Sequence, residues 1–343
     1  GSGRSVAARA FAAALQCTGE TPGCGACPGC RTTMARTNAD VVFAATETSI
    51  INVDTARSLV LQAQSSPSQG LWRVIVVEDA DRLGESGANA LLKAIEEPPE
   101  HTVWLLCAPS PEDMIATIRS RCRHLGLRIP TAAAVADLLV REGVASPEVA
   151  LEAARAAQSH IGLARALARD PQMRERRRAI ITAPASVRSV GEAVMAADRL
   201  LETAKAQADA QVSERNAREK AELMRQLGMD EGESATKASR TMIRQLEEDQ
   251  KRRSKRALTD AIDRALIDLL AIYRDVLMVQ VGGDGELINT DLSDLVHEIA
   301  QESTPRQTLA RVDHIETARK RLVSNGNPLL VLEDMAISLR PQA

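Results

Sequence analysis

The stretch WRVIVVEDADRL (residues 72–83) constrains the fold most. Its unbroken β-branched run offers no polar face to water, so it reads as a strand buried on both sides in a parallel sheet with helices above and below. DVVFAA (40–45) and TVWLLCA (102–108) are shorter runs of the same kind, and RHLGLRIP (123–130) reads as a last strand. Between them, NVDTARSLVLQAQ (52–64) puts Val53, Ala56, Leu59, Val60 and Ala63 on one helical face. SGANALLKAIEEPP (86–99) is a helix stopped by two prolines, and PEDMIATIRSRC (111–122) is a short helix running into a turn. An alanine-rich helix over 5–16 precedes them all. Strands alternating with helices predict a parallel α/β domain over 1–130.

Beyond Pro130 the strand signal stops. Residues 131–185 predict three or four short helices, and 186–343 is helical throughout. The stretch 201–256 interleaves 13 Lys/Arg with 11 Asp/Glu and is broken by GMDEGES (228–234), so it reads as two long solvated helices meeting at a turn, or one helix with a break. Apolar periodicity returns in LTDAIDRALIDLLAIYRDVLMVQV (258–281), and further helices fit 292–302, 305–324 and 327–340. A net charge of −3 gives no general attraction for nucleic acid. Five aromatics in all (Phe11, Phe43, Trp72, Trp104, Tyr273) are too few for a base-stacking platform. No apolar run approaches a membrane span and no signal peptide is visible, so the expected compartment is the cytoplasm.

Four motifs carry chemistry. Cys17, Cys24, Cys27 and Cys30 form C-x6-C-x2-C-x2-C. Four thiolates satisfy tetrahedral Zn²⁺, and each C-x2-C step lets a tight turn present two sulfurs to one ion. Gly23, Gly25 and Gly29 supply backbone freedom for such turns. A metal held by four protein ligands would be structural; the alternative is four reduced cysteines without one. Cys107 and Cys122 read as buried thiols, and the five histidines show no ligand spacing. Gly1-Ser2-Gly3-Arg4-Ser5 is either the end of a phosphate loop, G-x-x-x-x-G-K-[ST] with Arg4 in place of Lys, or the remnant of an expression tag. Glu78-Asp79 ends a strand where an ATPase carries Asp for Mg²⁺ and then Glu for the attacking water, here in reverse order. Glu78 is one methylene too long for the first role and Asp79 one too short for the second. The reading is two acids facing solvent with hydrolysis lost, while weak nucleotide binding through Arg4 stays open. Finally, Arg119, Arg121 and Arg123 flank Ser120 and Cys122 at a loop. They are either a finger for a neighbour's phosphate or surface arginines paired with local acids.

Taken in order, the four-cysteine module, VIVVEDADRL, NALLKAIEEPP and IRSRC resemble the clamp-loader branch of the AAA+ superfamily, and more narrowly the delta prime family of bacterial DNA polymerase III. The resemblance is strong over 1–130. It continues through HIGLARALARD (160–170), where Gly162-x-x-Arg165 is similar to the sensor-2 position, and into RVDHIETARKRLVSNGNPLLVLEDMAISL (311–339), which is similar to the collar. It implies an AAA+ domain over 1–130 with a zinc module at 17–30, an all-α lid over 131–185, and an all-α collar over 186–343. The charged stretch at about 203–256 departs from that family pattern, and beside the resemblance it reads as an insertion projecting from the collar, of the kind expected in a high-GC actinobacterial lineage. The family's first strand, central in its sheet, would precede Gly1, so a chain starting there is expected to fold poorly.

Residue by residue, the resemblance implies zinc ligands at Cys17, Cys24, Cys27 and Cys30, and an SRC motif at Ser120, Arg121 and Cys122 with Arg121 acting in trans. It implies a degenerate nucleotide site at Gly3, Arg4, Ser5, Glu78, Asp79 and Arg165. The implied role is a non-hydrolysing or weakly active stator. It lends Arg121 to the ATP and Mg²⁺ of a neighbouring gamma/tau ATPase, in a ring of five with a delta subunit, while the sliding clamp is loaded onto primed template DNA. Two rivals remain: a gamma/tau-like active ATPase, and a zinc-bearing DNA-binding module. KRRSKR (251–256) fits either DNA phosphate contacts or a solvated helix face balanced by the preceding EED.

Overall fold

The computed structural model describes residues 3–44, 50–227 and 237–340, and the chain divides into two compact units, Gly1–Ile129 and Pro130–Ala343. Among the described residues, three parallel strands, β1 (Val41–Ala44), β2 (Arg73–Val77) and β3 (Thr102–Leu106), form the sheet of the first unit in that order. Val41 pairs with Val74, and Arg73 with Thr102. Every residue of β2 is buried, as a two-sided strand requires. Val74 and Val76 face one side, toward Ala12 of helix α1 (Arg4–Leu15), Phe43 and Leu105. Ile75 and Val77 face the other, toward α3 (Val53–Ala63), α4 (Glu85–Glu96) and Ile118 of α5 (Ala116–Arg119). Helix α2 (Pro28–Met34) follows α1.

The expected strand over 123–130 does not form. Leu125 is 82% exposed and Ile129 74%, and the described residues offer that segment no ladder partner. A strand without a neighbour leaves its backbone groups to water, and Gly126 and Pro130 weaken it further.

The loop before β2 is tied down by a buried carboxylate. Asp40 accepts from the backbone N–H groups of Ser68 (2.6 Å), Gln69 (2.7 Å) and Gly70 (2.8 Å) and from the Ser68 hydroxyl (2.9 Å). Burial pushes its pKa up, but these donors outweigh burial and leave it lowered. A depressed pKa contributes stability above the ordinary carboxylate value of about 3.9, and that stability drains away as pH falls through the folded value. Asp40→Asn should therefore melt earlier at neutral pH, with the gap to wild type closing on acidification; calorimetry between pH 3 and 7 checks this.

Among the described residues the regular elements of the second unit are helices: α6 (Ala132–Arg141), α7 (Pro147–Ala156), α8 (Ile161–Arg169), α9 (Pro171–Ser186), α10 (Val190–Gln226), α11 (Lys237–Gln280), α12 (Ser293–Glu302), α13 (Pro305–Val323) and α14 (Pro328–Ser338). Val135, Leu139, Ala153 and Leu167 form one small core among α6–α8. Ile262, Leu266, Leu269, Ile272, Ile315 and Leu332 form a larger one among α10–α14. Arg177, Asp268, Asp275 and Asn289 are buried there as a hydrogen-bonded network, with Arg177 Nε 3.1 Å from Asp268 and Asn289 Nδ2 2.9 Å from Asp275.

Among the described residues the charged stretch is two long helices, as one of the expected readings has it. It is the outer part of α10 and α11, and the latter runs unbroken from 237 to 280, so the helix expected to begin at 258 is its inner half. No Gly or Pro interrupts it, and i,i+4 pairs such as Arg244–Glu248 support its polar part. GMDEGES lies outside the described residues. Four of the KRRSKR cations have partners within the unit: Arg252 with Asp249, Arg253 with Glu219, Lys255 with Asn325 and Arg256 with Asp260. Of these, only the Arg252 pair is with the preceding EED.

Candidate functional site

The cysteine cluster grows out of the end of α1. Cys17 follows that helix, a glycine-rich loop carries Cys24 and Cys27, and α2 presents Cys30. All four Sγ atoms lie within 4.8 Å of one another. The loop turns at Gly25 in the left-handed region (φ 73°), where a side chain would be strained. Gly29 is needed for space instead: a Cβ there would lie 1.9 Å from the Gln16 carbonyl oxygen.

Backbone N–H groups already point at the sulfurs: Cys30 and Thr18 toward Cys27, Cys27 toward Cys24, and Gly19 toward Cys17, at 3.4–3.5 Å. Donation from the Cys30 and Thr18 backbones lowers the Cys27 pKa to about 5, whereas burial pushes Cys30 up to about 12. A soft, closed set of four sulfurs with donors stabilising thiolate is what a tetrahedral metal ion takes, at about 2.3 Å per Zn–S bond. The residues fit such an ion.

The second cluster lies at the carboxyl ends of the strands. Gly3 caps α1 in the left-handed region (φ 74°) with no side-chain cap, and Arg4 is the first helical residue. Gly1 and Ser2 lie outside the described residues, and Ser5 is half-buried. A cation at a helix N-terminus opposes the helix dipole, and an anion bound there would relieve it. The Arg4 carbonyl lies 4.0 Å from Cys107 Sγ, just beyond β3. Burial, with Glu78 and Asp79 nearby, pushes the Cys107 thiol up.

Glu78 does not face solvent. Its side chain is 14% exposed and pairs with Arg36 at 2.7 Å. Arg36 follows α2, has φ 61°, and its guanidinium also stacks over Phe43 at 5.2 Å. Asp79, partly buried, starts the turn after β2. Nothing in the periodicity marks Arg36. Its role comes from a left-handed backbone turn that brings it back across the sheet end.

The third cluster is built on α5. Ile118 is fully buried and anchors this one-turn helix, and Cys122 packs against the same core with its thiol pushed up by burial. Arg121 projects from that base. Its Nε donates to Glu96 Oε2 at 2.9 Å and its Nη1 to the Thr117 carbonyl at 3.0 Å. Ser120 hydroxyl donates to the same carbonyl at 3.1 Å. Arg119 reaches the Pro111 carbonyl at 3.4 Å. In the other unit, Arg165 of α8 grips Glu142 with two nitrogens at 2.8–2.9 Å.

The first unit thus gathers Gly3, Arg4, Glu78 and Asp79 about one end of the sheet, and places Ser120 and Arg121 on a separate anchored loop. Residues 1–131 match the protein family described as "DNA polymerase III, delta subunit". The delta' subunit of DNA polymerase III from Escherichia coli K12 is 36% identical over 146 residues, 42% of this chain and 44% of that one. The delta' subunit from Pseudomonas aeruginosa is 35% identical over 44% of this chain and 48% of that one. The gamma/tau subunit of Mycobacterium tuberculosis is 35% identical over 41% of this chain and 25% of that one. The chain therefore spans less than half the length of these relatives. A solved gamma subunit-related protein of Thermotoga maritima covers 90% of the chain and 88% of its own length at 17% identity and TM-score 0.42. Among the described residues no helix is long and apolar enough to cross a membrane.

Proposed function

We propose, from the premise that the N-terminal unit is related to DNA polymerase III delta' and gamma/tau subunits, that this chain is the delta'-type, non-hydrolysing stator of a clamp loader. One observation carries the choice. The strand-end acid that would meet Mg²⁺, Glu78, is longer than Asp and is already neutralised by Arg36 at 2.7 Å. With Arg4 where a P-loop lysine belongs, neither half of the hydrolytic machinery is intact. Identity alone weighs the two relatives equally, at 36% and 35%.

In this reading the chain's chemistry is done elsewhere. Arg121 of Ser120-Arg121-Cys122 meets the γ-phosphate of ATP–Mg²⁺ held by a neighbouring gamma/tau-type subunit and stabilises the charge that develops there. Gly3, Arg4, Ser5, Glu78 and Asp79 are what remains of the chain's own nucleotide site. Residues 131–185 serve as the lid and 186–343 as the collar that joins the partners, a delta subunit among them, while the sliding clamp is placed on primed DNA. Cys17, Cys24, Cys27 and Cys30 would hold zinc, which when bound supplies a structural cross-link and no reaction step.

The test is turnover. The isolated subunit should hydrolyse ATP no faster than buffer, yet co-assemble with gamma/tau-type and delta-type subunits into a loader that hydrolyses ATP in response to clamp and primed DNA. Steady-state turnover by the isolated subunit above about 0.1 s⁻¹, well below typical turnover numbers, would favour the gamma/tau-like reading instead.

A further inference from the structure

We infer that Glu96 is a positioning residue for Arg121, fixing the orientation in which that guanidinium meets a phosphate. The inference rests on the finger reading above. It starts from where the two residues stand. Glu96 is the last residue of α4, and Pro98 and Pro99 close the chain just beyond it. Leu91 and Ile95 bury the inner face of that last stretch of α4, while Ile118 buries α5. Both side chains therefore spring from backbones fixed by the same core.

The guanidinium is held on two of its three nitrogens. Glu96 takes the Nε–H at 2.9 Å, and the Thr117 carbonyl takes Nη1 at 3.0 Å. Among the described residues, Nη2 has no protein hydrogen-bond partner, and the side chain keeps 34% of its surface in solvent. Both bidentate edges of the fork include Nη2, so holding Nε and Nη1 leaves Nη2 as the nitrogen presented to a phosphate oxygen. Without Glu96, four side-chain torsions would be limited only by Thr117 and Ser120.

The pair has little other work to do. Glu96 is 55% exposed, and ion pairs this open to water add little stability. A carboxylate that neither neutralises a buried charge nor holds the fold, yet meets the one nitrogen that sets the plane of the fork, is placed to serve orientation. It also weakens the fork's net charge. Losing it therefore separates two effects: if charge mattered more than aim, hydrolysis would rise.

The experiment uses the whole subunit reconstituted with its gamma/tau-type and delta-type partners, reading clamp- and DNA-stimulated ATP hydrolysis. A misplacement of about an ångström costs on the order of 10²-fold at the site concerned. Glu96→Ala should bring kcat of the complex down to that of Arg121→Ala, with KM for ATP unchanged. Glu96→Asp, which withdraws the acceptor by a methylene, should fall with it. Glu96→Gln keeps an acceptor oxygen at the same reach and should stay within about threefold of wild type, since a positioned side chain tolerates loss of charge better than loss of geometry. Glu96→Ala combined with Arg121→Ala should be no worse than Arg121→Ala alone. Wild-type or raised kcat in Glu96→Ala and Glu96→Asp, beside an impaired Arg121→Ala, would overturn the positioning role and leave the finger standing. Wild-type kcat in Arg121→Ala itself would overturn both. Equal melting temperatures for all variants exclude a folding defect as the cause.

Discussion

Replacing Arg121 with alanine is expected, on the role proposed above, to abolish hydrolysis at the neighbouring site it would serve while the complex still assembles. A trans-acting arginine contributes on the order of 10³–10⁵ to the rate at its site, by cancelling charge on the transferring phosphoryl group. In that role the other ATPase sites would keep working, so the whole complex should show partial loss, and clamp loading should fail because the ring could not complete its cycle. The structural basis is the separation between anchor and tip. Ile118 and the half-buried Cys122 hold the loop in the core, whereas the Arg121 side chain lies outside it at 34% exposure. Truncation at Cβ should therefore leave the fold alone, and the variant should melt with wild type. Lysine is the sharper control. It keeps the charge but has neither an Nε–H for Glu96 nor a flat edge for phosphate, so Arg121→Lys should resemble Arg121→Ala rather than wild type. ATP hydrolysis with and without clamp and primed DNA checks both. Full activity in an assembled Arg121→Ala complex would leave the residue as the rival reading has it, a surface arginine paired with a local acid.

Much of this arrangement is legible in the sequence because its causes are local. The VIVV run cannot be anything but two-sided, and Val74/Val76 and Ile75/Val77 duly point to opposite cores. Prolines 98 and 99 stop α4 where they stand. Four cysteines at short spacing converge because the turns between them are tight. What the sequence hides depends on distant partners. RHLGLRIP has a strand's alternation, yet alternation forms nothing without a neighbouring ladder. Glu78 reads as solvated until Arg36, 42 residues away in sequence, crosses the sheet end to meet it. The tie between Asp40 and the Ser68–Gly70 backbone leaves no pattern at all, since an aspartate before a strand is common and its acceptors are spent on anonymous amides. Glu96 lies within a motif that marks a helix end, and only its meeting with Arg121 gives it a role.

Metal removal is the second large effect expected, and it reaches beyond the loop that would hold the ion. The cysteine module joins α1 to α2: Cys17 follows the first helix, and Cys30, in the first turn of the second, lies 3.4 Å from the Ala13 carbonyl, fully buried. Without metal the Cys30 thiol, pushed up to about 12 by burial, stays neutral and contributes its packing and its donation to the Ala13 carbonyl. An ion must displace that proton, so binding releases protons and weakens as pH falls. Structural zinc sites in isolated peptides release about 10–16 kcal/mol on binding at pH 7, comparable with the whole stability of a domain at about 5–15 kcal/mol. The α/β core supports part of this unit without metal, so the expected result is a lower melting temperature and a loosened module rather than global unfolding. Cys30→Ser should reduce zinc from one ion per chain to none and melt well below wild type. Wild type stripped by a strong chelator should melt with it. Because α2 carries Arg36 to Glu78, the same treatment should also free that acid, making the module a brace for the strand end as well as for itself. Zinc content by atomic absorption, with melting curves before and after chelation, decides the matter. A chain that carries no zinc, or one whose melting is indifferent to losing it, would reduce the four cysteines to ordinary thiols held close by tight turns.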